Sequence, residues 1–171
     1  AEKQLGLPWN WEGNCSLPRG GYDNEIAILS DLAGSATLTP LYRPPNGGFA
    51  GDVDLDFDGR RILFSQSSPS GRWRVMELDL AEGAMPKAVT QIDEPDVDNY
   101  DACYLPDGNL IFSSTATFTG VPCVRGSAHV ANLFRLERDS GAIRRLTFDQ
   151  DHDWCPTVMP DGRVLYLRWE Y

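Results

Sequence analysis

Carboxylate side chains occur in three groups along this 171-residue chain, and such groups are candidates for binding a cation. In the third group, Asp149, Asp151 and Asp153 stand at alternate positions. Carboxylates spaced in this way in a loop can converge on Ca²⁺, which takes about six to eight oxygen ligands. Trp154 stands where an EF-hand calcium loop needs glycine, so that motif is excluded. The alternative is that these side chains cap turns and accept hydrogen bonds from backbone N–H groups. The other two groups are Asp52, Asp54 and Asp56, and Asp93, Glu94, Asp96, Asp98 and Asp101.

A second candidate metal site lies in segment 116–131, which contains Cys123 and His129. Thiolate and imidazole are ligands of Zn²⁺ and of haem iron. Two ligands do not complete a site, so the others would come from Asp or Cys elsewhere. The alternatives are a buried thiol or a disulfide, because the four cysteines allow several pairings. The chain has no Cys-x-x-Cys-His motif for covalent haem attachment. The candidate cofactors are therefore Ca²⁺ or Zn²⁺, and the sequence does not choose between them.

The sequence contains no motif for nucleophilic catalysis or phosphate binding. His152 lies between two aspartates, and we expect an exposed loop histidine there. No Gly-x-Ser-x-Gly motif and no phosphate-binding loop occurs. The chain has only two histidines, which leaves little room for a Ser-His-Asp triad. We therefore predict no complete catalytic set within these residues.

Composition limits the classes of partner. The net charge of −10 disfavours nucleic acid and anionic membrane surfaces, since both need clustered Lys and Arg. No run of about 18 apolar residues is present, so no membrane span is predicted. Hydrophobic residues make up 42% of the chain, which is enough to build a packed core.

The elements that position these groups follow from a repeat. Asp58-Gly59, Asp107-Gly108 and Asp161-Gly162 each lead into an apolar strand, at intervals of about 50 residues. A strand-rich repeat of this length is typical of propeller blades. We therefore predict an all-β fold built from β-propeller blades.

The strand pattern predicts an incomplete ring. Segment 1–24 is loop-rich, with Trp9 and Trp11 anchoring it, and segment 25–171 forms the blades. Twelve strands are predicted there, grouped as two, four, four and two, which amounts to three blades. Propellers take about four to eight blades. Other domains, other subunits or further copies of the chain must therefore complete the ring.

Three residues occupy equivalent positions when the repeats are aligned on their Asp-Gly turns. Asp52, Asp101 and Cys155 are predicted to begin the inner strand of each blade, next to the central channel. A polar ring in this place predicts a binding site for a small ligand or cation. The alternative is a structural ring that lines a water-filled channel.

The last strand has two distinct faces. Leu165, Leu167, Trp169 and Tyr171 alternate with more polar residues, and we expect this apolar face to pack against the adjacent blade. Arg168, on the other face, is expected to pair with a charge on the neighbouring strand, with a ligand contact as the alternative.

Several segments resemble known families. Residues 101–114 resemble the blade of TolB-like propellers, and residues 143–147 resemble their outer strand. More narrowly, segments 120–123, 146–151 and 163–171 resemble the middle domain of the hydrazine synthase alpha subunit family.

The resemblance implies a periplasmic or secreted bacterial protein in which the propeller is set among other domains. Because the sequence holds no complete catalytic set, we expect a non-catalytic scaffold or recognition module that binds a partner or small ligand at the channel mouth or top loops. The alternative is a component of a metal- or haem-dependent redox enzyme, with Cys123 contributing to a metal site. Because the haem attachment motif is missing, the family's catalytic assignment does not carry over.

Overall fold

The three Asp-Gly turns each join two antiparallel strands in the computed structural model, which describes residues 17–68, 70–89 and 95–170. In each turn the glycine N–H donates to the carbonyl three residues earlier, at 2.9–3.0 Å. The three glycines have φ between 67° and 84°, a left-handed conformation that glycine adopts without steric cost. The turns therefore fix where each inner strand ends and the next strand begins.

Twelve strands form four antiparallel sheets within the described residues, as predicted. The sheets have the orders β1-β2, β3-β4-β5-β6, β7-β8-β9-β10 and β11-β12. The strands are β1 Ile26–Ser30, β2 Thr37–Tyr42, β3 Ala50–Leu55, β4 Arg61–Ser67, β5 Trp73–Asp79, β6 Lys87–Ala88, β7 Asn99–Tyr104, β8 Leu110–Ser114, β9 Asn132–Leu136, β10 Ile143–Arg145, β11 Asp153–Val158 and β12 Val164–Arg168. The grouping as two, four, four and two strands confirms the all-β blade prediction.

The core lies between successive sheets. Leu63 and Val75 of the β3–β6 sheet pack against Ala102, Tyr104 and Phe112 of the β7–β10 sheet, and all five are buried. Burying one large apolar side chain contributes about 1.5–3 kcal/mol to the free energy of unfolding. Sheets stacked face to face in chain order are the arrangement expected of propeller blades.

Each two-stranded sheet also packs face to face against the four-stranded sheet next to it in the chain. Ile26 of β1 lies against Ile62 and Phe64 of the following sheet. Val164 and Tyr166 of β12 lie against the preceding sheet, in the cluster of Cys103, Ile111 and Leu133.

The predicted orientation of the last strand is wrong. Leu165 and Leu167 are 57% and 58% exposed, and the opposite face of β12 packs on the adjacent blade. The alternation was right, but it is Val164 and Tyr166, on the other face, that pack against the preceding sheet. Trp169 follows the strand and packs against Val121 and Val130 in the long loop. Tyr171 lies outside the described residues.

The start of the described chain is tied to the second sheet. Leu17 packs near Trp73, and Arg19 makes an ion pair of 3.5 Å with Asp98. Trp9, Trp11, Asp93 and Glu94 lie outside the described residues, so the anchoring by the two tryptophans and the cation binding by the two carboxylates stay predictions. No helix in the described ranges has the length and apolar character needed to cross a membrane.

Candidate functional site

Asp52, Asp101 and Cys155 occupy the same backbone position in three successive blades. Their φ angles are 53°, 54° and 52°, and each lies where the pairing of the inner strand shifts register. The equivalence predicted from the Asp-Gly alignment is therefore present. Their predicted place at the start of the inner strand is wrong, because each lies in a β-bulge and the strand is already paired with its neighbour before that bulge. Each inner strand begins two residues earlier, at Ala50, Asn99 and Asp153.

The bulge explains which residue types can stand there. A positive φ is tolerated by aspartate, whose short polar side chain bonds locally, more readily than by most residues. Cys155 adopts the same conformation without that advantage, at a cost of about 1–2 kcal/mol. The inner strand β7 contacts both β3 and β11, so the bulges of neighbouring blades come together.

Hydrogen bonds join the bulges. The carboxylate Oδ2 of Asp101 accepts from the backbone N–H of Cys155 at 2.5 Å. The N–H of Asp101 donates to Oγ of Ser65, one blade earlier, at 2.8 Å. Nearby, Asp54 accepts from the N–H of Tyr104 at 2.9 Å. Aspartates in this region therefore bond backbone groups of the following blade, which agrees with the structural alternative stated for the acidic groups.

Burial and like charge make Asp101 a weak acid for a carboxyl group. Burial, together with the nearby charge of Asp52, raises the pKa of Asp101 to about 6, against the opposing effect of hydrogen bonds from Cys155. Burial and the Asp101 carboxylate raise the pKa of the Cys155 thiol. Burial raises the pKa of Cys103 to about 12. These thiols stay protonated at neutral pH, so the cluster can exchange a proton at Asp101 but supplies no thiolate nucleophile.

The third acidic group is brought together around an arginine. Nε of Arg168 lies 3.1 Å from Oδ2 of Asp149 and 2.9 Å from Oδ1 of Asp153. Asp153 is the cross-strand partner of Arg168, so the predicted pairing of Arg168 is confirmed. The N–H of Asp151 donates to Oδ1 of Asp149 at 3.2 Å. A Ca²⁺ ion among these carboxylates stays a prediction, and it would compete with the guanidinium.

His152 is not an exposed loop residue, as the sequence had suggested. Its side chain is fully buried, with its ring 4.5 Å from that of Trp154 and 6.0 Å from that of Trp169. Nδ1 accepts from the backbone N–H of Ala131 at 3.1 Å, so Nδ1 carries no proton. The prediction failed because the two indole rings that cover the imidazole are provided by tertiary packing.

The long loop between β8 and β9 presents Cys123 and His129 to solvent. Cys123 lies on the 3₁₀ turn Pro122–Val124, and His129 pairs with Gly120 in an isolated bridge. Cys123, Cys103 and Cys155 are free thiols. Over residues 17–68, 70–89 and 95–170, no three His, Cys, Asp or Glu side chains are grouped to hold a metal ion. Zinc or haem iron at Cys123 and His129 stays a prediction that needs further ligands.

Sequence reasoning missed a charged cluster between two blades. Oε1 of Glu77 accepts from Nη1 of Arg138 at 2.5 Å and from the hydroxyl of Tyr104 at 2.8 Å. Oε2 accepts from Nη2 of Arg138 at 2.8 Å. Burial would raise the pKa of Glu77, but Arg138, Tyr104 and Arg61 outweigh it and lower the pKa. Glu77 is one of three charged residues in β5, with Arg74 and Asp79, so the sequence does not single it out.

Comparison with known proteins supports the fold alone. No protein-family model matches the chain, and no curated protein matches it. The crystal structure of TolB from Acinetobacter baumannii matches with a TM-score of 0.58 and 23% identity, over 85% of this chain and 32% of that one. The structure of a putative TolB from Agrobacterium tumefaciens matches with a TM-score of 0.55 and 19% identity, over 83% of this chain and 48% of that one. The chain therefore has a TolB-like β-propeller fold and spans about a third to a half of these proteins.

Proposed function

We propose that this chain is a non-catalytic recognition module, part of a TolB-like propeller, that binds a small ligand or a partner at the channel mouth. The observation that carries the proposal is the placement of Asp52, Asp101 and Cys155 at equivalent bulges on neighbouring inner strands. Repetition of a polar position at the inner edge of each blade is how a ring of blades presents side chains to one ligand.

The chemistry of the cluster favours a positively charged ligand. Repulsion from Asp52 contributes to the raised pKa of Asp101, so the charged form of Asp101 is held at a cost. A metal cation, an amine or a guanidinium group would offset that repulsion and hold Asp101 in its charged form. The net charge of −10 would also attract such a ligand over a longer range.

The setting of the module is part of the proposal. The chain spans less than half of each TolB structure, which is consistent with a propeller completed by other domains or subunits. We propose a periplasmic or secreted location, with segment 1–24 leading into the blades of segment 25–171. A role in a hydrazine synthase-like redox enzyme rests on the sequence resemblance alone, and no contact among the described residues favours it.

Titration calorimetry tests the binding proposal. Ca²⁺, Zn²⁺, cadaverine and agmatine serve as probes at low ionic strength, so that surface screening does not hide the effect. We expect at least one probe to bind, and Asp101→Asn to weaken its binding by about tenfold or more, since a charged partner contributes about 1.5–3 kcal/mol. Asp139→Asn is the matched control, because Asp139 is exposed in the turn between β9 and β10. Binding that is equal in Asp101→Asn and wild type would contradict the proposal.

Titration calorimetry also tests zinc binding at the long loop between β8 and β9. If Cys123 and His129 bind Zn²⁺, Cys123→Ala abolishes a zinc isotherm that Asp101→Asn leaves intact. Zinc binding that survives Cys123→Ala would contradict the loop site and leave the channel cluster as the metal ligand.

A further inference from the structure

Two serines occupy equivalent positions on the second strands of the two four-stranded blades. Ser65 of β4 and Ser113 of β8 each pair with the residue directly before the bulge of their inner strand. Leu63 and Ile111, two residues before the serines, both pack against the following blade. Because residues two apart in a strand share a face, both serines also face the following blade.

The first of these serines bonds the bulge of the next blade. Oγ of Ser65 accepts from the backbone N–H of Asp101 at 2.8 Å. The same arrangement one blade later would join Oγ of Ser113 to the backbone N–H of Cys155, since Cys155 occupies the equivalent bulge position. That N–H has a different partner in this structure, because Oδ2 of Asp101 accepts it at 2.5 Å.

The hydroxyl of Ser113 is buried and unpaired. The side chain is 0% exposed, and Oγ has no hydrogen-bond partner among the described residues. Buried hydroxyls in folded proteins nearly always have a partner, so this exception needs a physical explanation. Because the side chain is already enclosed by the described chain, its surroundings do not depend on any further blade.

We propose that Ser113 is a positioning residue of the channel site, whose hydroxyl accepts the Cys155 N–H when a cationic ligand draws the Asp101 carboxylate away. One N–H then has two alternative acceptors, the carboxylate in this structure and the hydroxyl in the ligand-bound protein. The bond made by Ser65 shows that a serine at this position reaches the bulge of the next blade. The ligand-bound half of the inference rests on the proposed function.

This exchange of acceptors lowers the cost of binding a cation. A carboxylate that turns to a cation gives up its bond to Cys155, and a buried N–H left without an acceptor costs free energy. Ser113 bonds that N–H and gains a partner for its own buried oxygen in the same step. The contact between the two blades therefore persists while Asp101 binds the ligand.

Hydrogen exchange of the Cys155 amide, followed by NMR, tests the change of acceptor without any ligand. Asp101→Gly removes the carboxylate, and glycine adopts the positive φ of the bulge without strain. We expect the amide to keep most of its protection in this variant, because Ser113 becomes the acceptor. Adding Ser113→Ala should then raise the exchange rate by about fivefold to tenfold, which corresponds to the loss of one hydrogen bond.

Two further variants complete the exchange experiment. Ser113→Ala alone should leave the exchange rate near that of the wild type, since Asp101 then still holds the N–H. Ser114→Ala is the matched control, because its hydroxyl is also buried but lies on the other face of β8 and accepts from the N–H of Ala116. Added to Asp101→Gly, it should not accelerate exchange at Cys155. Equal rates in Asp101→Gly with and without Ser113→Ala would overturn the proposal.

Titration calorimetry tests the link to the channel site, with Ca²⁺, Zn²⁺, cadaverine and agmatine as probes. Ser113→Ala should weaken the binding of an Asp101-dependent probe by about fivefold to tenfold, the effect of one lost hydrogen bond, and Ser114→Ala should not. Equal affinity in Ser113→Ala and wild type would overturn the role of Ser113 in binding. If no probe binds, the proposed function fails, and the exchange experiment still decides whether Ser113 accepts the Cys155 N–H.

Discussion

The Asp101 carboxylate accepts a hydrogen bond of 2.5 Å from the backbone N–H of Cys155, the residue that occupies the same bulge position one blade later. A side chain on one inner strand thus positions the backbone of the next. Because the same carboxylate lies close to Asp52, its charge influences both the stability of the blade stack and what the channel mouth can bind.

The first prediction concerns pH. The folded protein holds the Asp101 proton more tightly than the unfolded chain, since the pKa is raised from 3.8 to about 6. The contribution of Asp101 to the free energy of unfolding therefore rises as pH falls from about 6 toward 3.8, and is smallest above pH 6. Asp101→Asn should remove this dependence and stabilise the protein at pH 7 by about 1–3 kcal/mol. Urea unfolding at pH 5 and pH 7 measures it.

Asparagine is the informative substitution because it tolerates the positive φ and retains an oxygen to accept the Cys155 N–H. Asp139→Asn provides the control for a loss of one exposed charge. An unchanged pH dependence in Asp101→Asn would show that another group is responsible.

Glu77 gives a prediction of opposite sign. Its pKa is lowered in the fold, so its contribution to stability is present above its ordinary value of 4.5 and is lost as pH falls through the folded value. Glu77→Gln should destabilise the protein by about 1–3 kcal/mol, because the partly buried guanidinium of Arg138 loses its charged partner. Glu82→Gln, at an exposed turn position, should change the urea midpoint little. Equal effects of the two substitutions would argue against a structural role for the cluster.

The turn chemistry of the fold could be predicted from sequence, because each Asp-Gly pair encodes its conformation within four residues. The same alignment placed Asp52, Asp101 and Cys155 in equivalent positions, although it did not show the bulge. The pairing of Glu77 with Arg138 could not be found in this way, since its partners lie 61 residues apart and no local pattern links them.

The faces of β12 illustrate a second limit. Alternation identifies which residues share a face, but the choice of face depends on which neighbouring sheet is present. Leu165 and Leu167 form the more apolar face, yet the described chain offers that face no partner. The apolar rule therefore pointed to the face of β12 that is exposed in the described chain.

Burial of His152 predicts sensitivity to loss of its acceptor. His152→Phe keeps a ring between Trp154 and Trp169 but leaves the N–H of Ala131 without a partner, at a cost of about 1–3 kcal/mol. Thermal unfolding followed by tryptophan fluorescence measures the change. His129→Phe, on the exposed loop position, serves as the control and should leave the transition in place. No change in His152→Phe would contradict the buried hydrogen bond.

Trp169 is predicted to hold the long loop against the last sheet. Trp169→Ala removes the packing of the indole ring on Val121 and Val130. A fully buried tryptophan contributes about 3–5 kcal/mol, and the loss here should be at or below the lower end of that range because the ring is only partly buried. Differential scanning calorimetry should show a lower melting temperature, while Met85→Ala should not. An unchanged melting temperature would instead favour an interface role for Trp169.

The most direct test of the blade-to-blade contact at the channel is an NMR titration that follows the Asp101 carboxyl carbon and the Cys155 amide in one sample. We predict that both report a single transition near pH 6, because the carboxylate accepts the Cys155 hydrogen bond and titrates in its buried setting. Asp101→Asn should remove the transition from the Cys155 amide. An Asp101 carboxyl that titrates near its ordinary value of 3.8, with a Cys155 amide that does not respond, would contradict the contact and the site built on it.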